Sequence, residues 1–244
     1  MKYLFSVNGE QANIKDIICR HNATTIQAGA AVVRGITSGT NFGFGIISGA
    51  APADVIGVTQ ESLASTVGDT TQAGLVENKI KIVTNPFAVF LAEYSQEADD
   101  DVDVTSASSG TTFACTSIED IAGGWIYLVS GPGLGQLQYI TAATTNELTT
   151  KTALSPVTSS ATRFIKAYPR FHQLADVNAA ATKLKSAAAA GTGKVLILEN
   201  FIQANNIPFQ ELSALAHSGL TGLDTQSVKL YAAIMFLDHV SNNA

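Results

Sequence analysis

Gly123-Gly124-Trp125-Ile126-Tyr127-Leu128-Val129-Ser130, Gly131-Pro132-Gly133-Leu134-Gly135 and Gln136-Leu137-Gln138-Tyr139-Ile140-Thr141 form the continuous stretch that decides the fold. A run rich in aromatic and β-branched residues is followed by a glycine-punctuated turn. A second run then places Leu137 and Tyr139 on one face. Together they read as a β-hairpin. The turn has a superficial likeness to a nucleotide-binding loop. Such a loop opens a helix and needs a later acid for the ribose. Here strand residues follow, so the hairpin reading stands.

The same texture extends upstream. Gly29–Gly35 is a short apolar run between glycines, and Ser38-Gly39 is a turn signal. Phe42-Gly43-Phe44-Gly45-Ile46 alternates large and small residues, which is strand periodicity. Val55–Thr59, Gly74–Thr84 and Phe87–Tyr94 continue the series. Recurrence of short strands with no long helical period predicts antiparallel β-domains. Downstream, Thr111–Thr116, Thr144–Thr149 and Ser159–Lys166 are further strand candidates.

After Pro169 the composition changes. Val177, Ala181, Leu184 and Ala188 fall at helical spacing, so Leu174–Ala190, ended by Gly191, is expected to be a helix. Lys194–Glu199 reads as a buried strand. Pro208–His217 reads as a short helix with proline in its first turn and Gly219 beyond its end. Val228–Leu237 alternates and reads as a strand. The expected class is therefore mainly β with a few helices: antiparallel sandwich-like or barrel-like domains, with helices mainly in the C-terminal third. The expected units are 1–96, 97–168 and 169–244, the second one opened by an acidic linker and inserted into a core formed by the other two.

That linker, Gln96–Asp103, is the one dense charge run. Asp99, Asp101 and Asp103 alternate as in a calcium loop, but the sixth and twelfth positions are Val104 and Gly110 instead of Gly and Glu. A solvated linker is the expectation. Charged residues are 14 % of the 244, with a net charge of −6, against about 25 % in ordinary soluble domains. Binding to nucleic-acid phosphates needs clustered Lys and Arg, so that class is set aside. No apolar run approaches the ~18 residues of a membrane span, and the apolar start of the chain breaks too early for a secretory leader. A surface made largely of Thr, Ser, Gly, Ala and Asn suits a protein that packs against copies of itself or a large assembly.

Catalytic chemistry is not nominated. Gly191-Thr192-Gly193-Lys194 lacks the leading Gly and the following Ser or Thr of a phosphate loop, and it precedes a strand. His21, His172, His217 and His239 show no metal spacing. Asp238-His239 has no GxSxG serine elbow to serve. Cys19 and Cys115 stand far apart and read as buried free thiols. Asn22-Ala23-Thr24 matches a glycosylation sequon that has no meaning without export. No catalytic, cofactor-binding or metal-ligating residue is expected.

Ala28–Gly35 followed by Val55-Ile56-Gly57-Val58-Thr59 and Gly74-Leu75-Val76, together with Gly124-Trp125-Ile126-Tyr127 and Ser130–Gln136, resembles the capsid decoration (cement) proteins of tailed bacteriophages. The resemblance stops before His172. It implies a virion structural protein, made in the host cytoplasm and placed on the capsid surface. Its partners would be further copies of itself, as a homotrimer, and the major capsid protein, with no cofactor and no direct contact with nucleic acid or membrane. Another phage component (tail, fibre or capsid subunit) and an extracellular carbohydrate-binding or hydrolytic β-domain are the alternatives. Met1–Arg20 mixes apolar residues with Lys2, Lys15 and Arg20. It reads either as an arm that adds to a neighbour's sheet or as the first strand of this chain's own core.

Overall fold

In the computed structural model, the described residues are 1–19, 26–36, 42–46, 55–62, 78–95, 101–107, 110–115, 122–155, 158–160, 162–167, 174–178, 181–188, 195–215 and 218–237. Strands dominate, the named strand pairs are antiparallel, and no α-helix occurs among these residues. In chain order the strands are β1 (Lys2–Ser6), β2 (Ile14–Cys19), β3 (Ala31–Ile36), β4 (Phe42–Ile46), β5 (Val55–Thr59) and β6 (Asn78–Val83). Next come β7 (Ala88–Glu93), β8 (Asp101–Ala107), β9 (Thr112–Cys115), β10 (Trp125–Ser130), β11 (Leu137–Thr144) and β12 (Glu147–Thr150). The last six are β13 (Arg163–Ala167), β14 (Leu174–Val177), β15 (Leu184–Ala188), β16 (Val195–Ala204), β17 (Ile207–Glu211) and β18 (Lys229–Phe236).

They form three bodies of sheet. β2-β6-β5-β3-β4 is a five-stranded sheet, and β10-β11-β12-β9-β8-β13 closes into a barrel. β1-β7-β18-β16-β14-β15, with β17 also on β16, is a seven-stranded sheet that gathers strands from both ends of the chain. β16 organises it. One side of β16 pairs with β18 from Val195 to Gln203, while the other is shared by β14 near Leu196 and β17 near Ile202.

Burial follows from residue pattern. The run Trp125-Ile126-Tyr127-Leu128 is buried throughout, the mark of a strand covered on both faces. Ile126 and Leu128 join Phe113, Cys115, Ile140, Leu148 and Phe164 in one apolar cluster of barrel residues. Phe113 and Phe164 meet edge to face at 5.9 Å. Trp125 and Tyr127 instead belong, with Leu137 and Ile165, to the cluster that holds Phe90, Leu223, Leu230 and Ile234 beside the seven-stranded sheet. The stretch between β17 and β18 ties the two bodies together. Leu220 and Leu137 exchange backbone hydrogen bonds of 2.8 Å in both directions. In the five-stranded sheet, Gly57 has φ +155°, and a Cβ there would overlap the Val83 carbonyl oxygen. Only glycine lets β5 approach β6 so closely.

Three expectations are corrected. Leu174–Ala190 is not a helix over its described residues: β14 and β15 are a hairpin, pairing Ala175 with Ala188 and Val177 with Leu184. Alanine's helical preference is at most about 0.7 kcal/mol per residue over ordinary residues. Full burial of a Val or Leu side chain contributes roughly 1.5–3 kcal/mol, and the hairpin buries Val177 and Leu184 while pairing β14 with β16. Asn178 closes the turn, its Oδ1 accepting from the backbone N–H groups of Thr182 and Lys183 at 3.0 Å each. Over the described residues 208–215, the expected helix Pro208–His217 is instead part of strand β17 followed by a 3-10 turn at Ser213–Leu215. Pro208 is tolerated because β17 lies at a sheet edge, where a missing N–H is not needed. Within the acidic run, Asp101 begins β8, where Asp101 and Asp103 are register partners of Ile165 and Arg163. Residues 96–100 lie outside the described residues.

Candidate functional site

Two surfaces stand out. The first is the outer edge of β1. Most of the exposed large apolar residues, namely Leu4, Phe5, Val7, Ile14 and Phe87, belong to the first fourteen positions or to the turn that β1 runs beside. Phe5 is 54 % and Val7 64 % exposed. A register shift between Tyr3 and Phe5 explains the pattern. Tyr3 turns inward to meet Phe90 edge to face at 6.1 Å, while the bulge leaves Leu4 and Phe5 both outward. Val7 extends the ladder by donating to the Phe87 carbonyl at 3.0 Å. Asn85 then anchors the crossing to β2: its Nδ2 donates to the Gln11 carbonyl and its Oδ1 accepts from the Asn13 N–H. Among the described residues β1 has a partner on one side only. Natural edges usually carry charge or proline; this one carries Lys2, with Leu4 and Phe5 exposed beside it. Met1–Cys19 therefore supplies β1 and β2 to this chain's own sheets rather than standing off as a free arm, and Arg20 lies outside the described residues.

The second is a cleft of about 650 Å³ over the open face of the seven-stranded sheet. The other face of that sheet carries Phe90, Ala92, Ala232, Ile234 and Ile202 into the core. By alternation the open face shows Glu93 from β7, Tyr231 from β18 and Gln203 from β16. The Glu93 carboxylate accepts from Lys183 Nζ at 3.1 Å and Lys229 Nζ at 3.5 Å. Phe209 of β17 stacks on Phe201 at 4.9 Å with ring planes 11° apart, and meets Tyr231 edge to face at 5.9 Å. Gln27 and Thr182 add walls from the five-stranded sheet's loop and the Asn178 turn. Burial raises the Tyr231 pKa, so its phenol is neutral at physiological pH.

The residues weighed from sequence fall elsewhere. His21, His172, His217, Asp238-His239, Asn22–Thr24 and Gly191–Lys194 lie outside the described residues. Gly131–Gly135 is the hairpin turn, with positive φ at Gly131, Gly133 and Gly135. Cys115 is a free thiol buried in the barrel. Burial pushes its pKa up to about 11, with Lys166 pulling the other way and Glu147 adding to the rise. No group of three or more His, Cys, Asp or Glu able to hold a metal occurs among the described residues. Among the described residues no helix is long and apolar enough to cross a membrane. Sequence reading missed the cleft because its parts are spread over five strands and the loops beside them. Its one sequence signal was the alternation of Phe201 with Gln203 and of Lys229 with Tyr231, and Phe209 was hidden in an expected helix. No protein-family model matches this chain, and neither does any curated protein or solved structure.

Proposed function

We propose that this chain is a virion structural protein, a capsid decoration or cement protein of a tailed bacteriophage. In this reading it works as a homotrimer seated on the major capsid protein. It carries no catalytic residue, metal or cofactor, and it touches neither nucleic acid nor membrane. The observation that carries the reading is the one-sided β1 edge with Leu4, Phe5, Val7 and Phe87 outward. An unpaired strand offers main-chain hydrogen bonds to a neighbour, and outward apolar side chains add buried area to the same contact. Low overall charge supports it, since few charged groups have to be desolvated when such a surface closes. Stabilisation of a particle then comes from many copies of one modest contact repeated by symmetry.

The test is made on particles. Density-purified particles from the producing culture are expected to contain peptides of this chain at a stoichiometry comparable with the major capsid protein. Phe5→Asp, which places a charge on the edge without touching the core, is expected to give a folded protein that no longer copurifies. Absence of the unmodified chain from such particles would sink the reading.

A further inference from the structure

The cleft on the seven-stranded sheet goes beyond that reading and is independent of it. Its floor holds an exposed flat ring, Phe209, 46 % exposed and supported from behind by Phe201. An exposed aromatic held in one orientation by a stacked partner is a rigid apolar plate, presented at little entropic cost on binding. Around it stand groups that both donate and accept. Among the described residues, neither the Tyr231 hydroxyl nor the amides of Gln203 and Gln27 has a hydrogen-bond partner. The Glu93 carboxylate keeps lone pairs beyond the two it gives to Lys183 and Lys229.

These features select a ligand class. Lys183 and Lys229 are paired with Glu93, and the Met1 ammonium that also lines the cleft donates to the Gly29 and Thr182 carbonyls. Lys2 adds one more cation to the lining, so an acidic sugar is accommodated as well as a neutral one. A purely apolar ligand would leave the ring of amide, hydroxyl and carboxylate groups without partners. A pyranose ring matches both halves, with a C–H face that lies on an aromatic plate and an equatorial rim of hydroxyls that donate and accept. The volume, about 650 Å³, falls within the roughly 300–1,000 Å³ of small-ligand clefts. From this we infer that the cleft between β7, β16, β17 and β18 is a saccharide-binding site, with Phe209 as the stacking platform and Gln203, Glu93 and Tyr231 as the hydrogen-bonding rim.

The test is affinity electrophoresis of the full chain in native gels containing dextran, mannan, xylan or alginate, beside a gel without polysaccharide. Retardation in at least one gel is expected. Phe209→Ala and Gln203→Ala should each weaken it at least tenfold while leaving the melting temperature within a few degrees. Phe5→Asp, on β1 but not among the residues that line the cleft, should retain it, so loss of particle association and loss of saccharide binding are read separately. No retardation in any of the four gels, or retardation that survives both cleft substitutions, overturns the inference.

Discussion

Two buried tyrosines show how differently single polar groups are treated. The Tyr94 hydroxyl donates to Asn200 Oδ1 at 2.7 Å inside the core. Among the described residues the buried Tyr127 hydroxyl has no hydrogen-bond partner. Burial holds both phenols protonated, Tyr94 far above its ordinary range and Tyr127 at about 12, with Asp224 adding to the latter. Cys115 is the acidic group in this core that titrates first. Its thiol rises from 9.0 to about 11 because the barrel excludes water from the thiolate. Between those values the folded chain holds a proton that the unfolded chain releases. Stability is therefore intact below pH 9 and falls as pH rises towards 11. The urea midpoint is expected to decline from pH 9 to 10, before the tyrosines contribute. Cys115→Ala should flatten that early decline. Peptide-resolved alkylation at pH 8.5 checks the burial itself: Cys115 should label only when the chain unfolds, and labelling at the rate of a free thiol would show that water enters the barrel.

Among elements, the β14–β15 hairpin is the one whose local composition points away from its structure. All five residues from Ala187 to Gly191 are Ala or Gly, and alanine runs through the expected helix, yet its described residues, 174–178 and 181–188, join a sheet edge beside β16. Asn178 is what the periodicity does not count. Its side chain caps two backbone N–H groups across the turn, and its own N–H donates to the Lys183 carbonyl at 2.9 Å. Asparagine competes with helix in this way because its amide reaches nearby backbone. Asn178→Ala leaves both N–H groups without that acceptor and is expected to cost roughly 1–3 kcal/mol. Asn178→Asp, which keeps an acceptor oxygen, should cost less. Urea unfolding at constant m-value measures both, and a loss below about 0.5 kcal/mol for the alanine variant would show that strand pairing alone holds the turn. The β10–β11 hairpin is the opposite case. Aromatic and β-branched runs flank a turn that needs glycine at three positions, so local and global preferences agree there and the element was legible.

At the scale of the whole molecule the question is whether barrel and sheet unfold together. The six barrel strands run from Asp101 to Ala167, between β7 and β14 of one sheet. A division into units 1–96, 97–168 and 169–244 is a proposal about autonomy, and the shared apolar cluster sets its test. Trp125 lies at that junction, 5 % exposed, edge to face with Tyr139 at 5.3 Å. It is the one tryptophan in the chain, so its fluorescence reports the junction alone. Urea unfolding followed by Trp125 fluorescence and by far-ultraviolet circular dichroism is expected to give coincident transitions, because separating the bodies exposes Trp125, Tyr127, Leu137 and Ile165 together. Two transitions would establish independent units.

The local rules of periodicity and turn chemistry reach as far as the β-rich class, most of the strands and the glycine turns. They depend on neighbours within about ten residues and need no partner. Strand pairing depends on residues far apart in the chain. Val195–Leu198 is an apolar run in any context, but the place of β16 as the organising strand comes from β18 on one side and β14 and β17 on the other. The same holds for the surfaces. Leu4 and Phe5 are ordinary apolar residues until a bulge beside β7 turns both outward. Glu93, Gln203, Phe209 and Tyr231 are spaced across more than a hundred residues of chain, and only antiparallel register puts them on one open face.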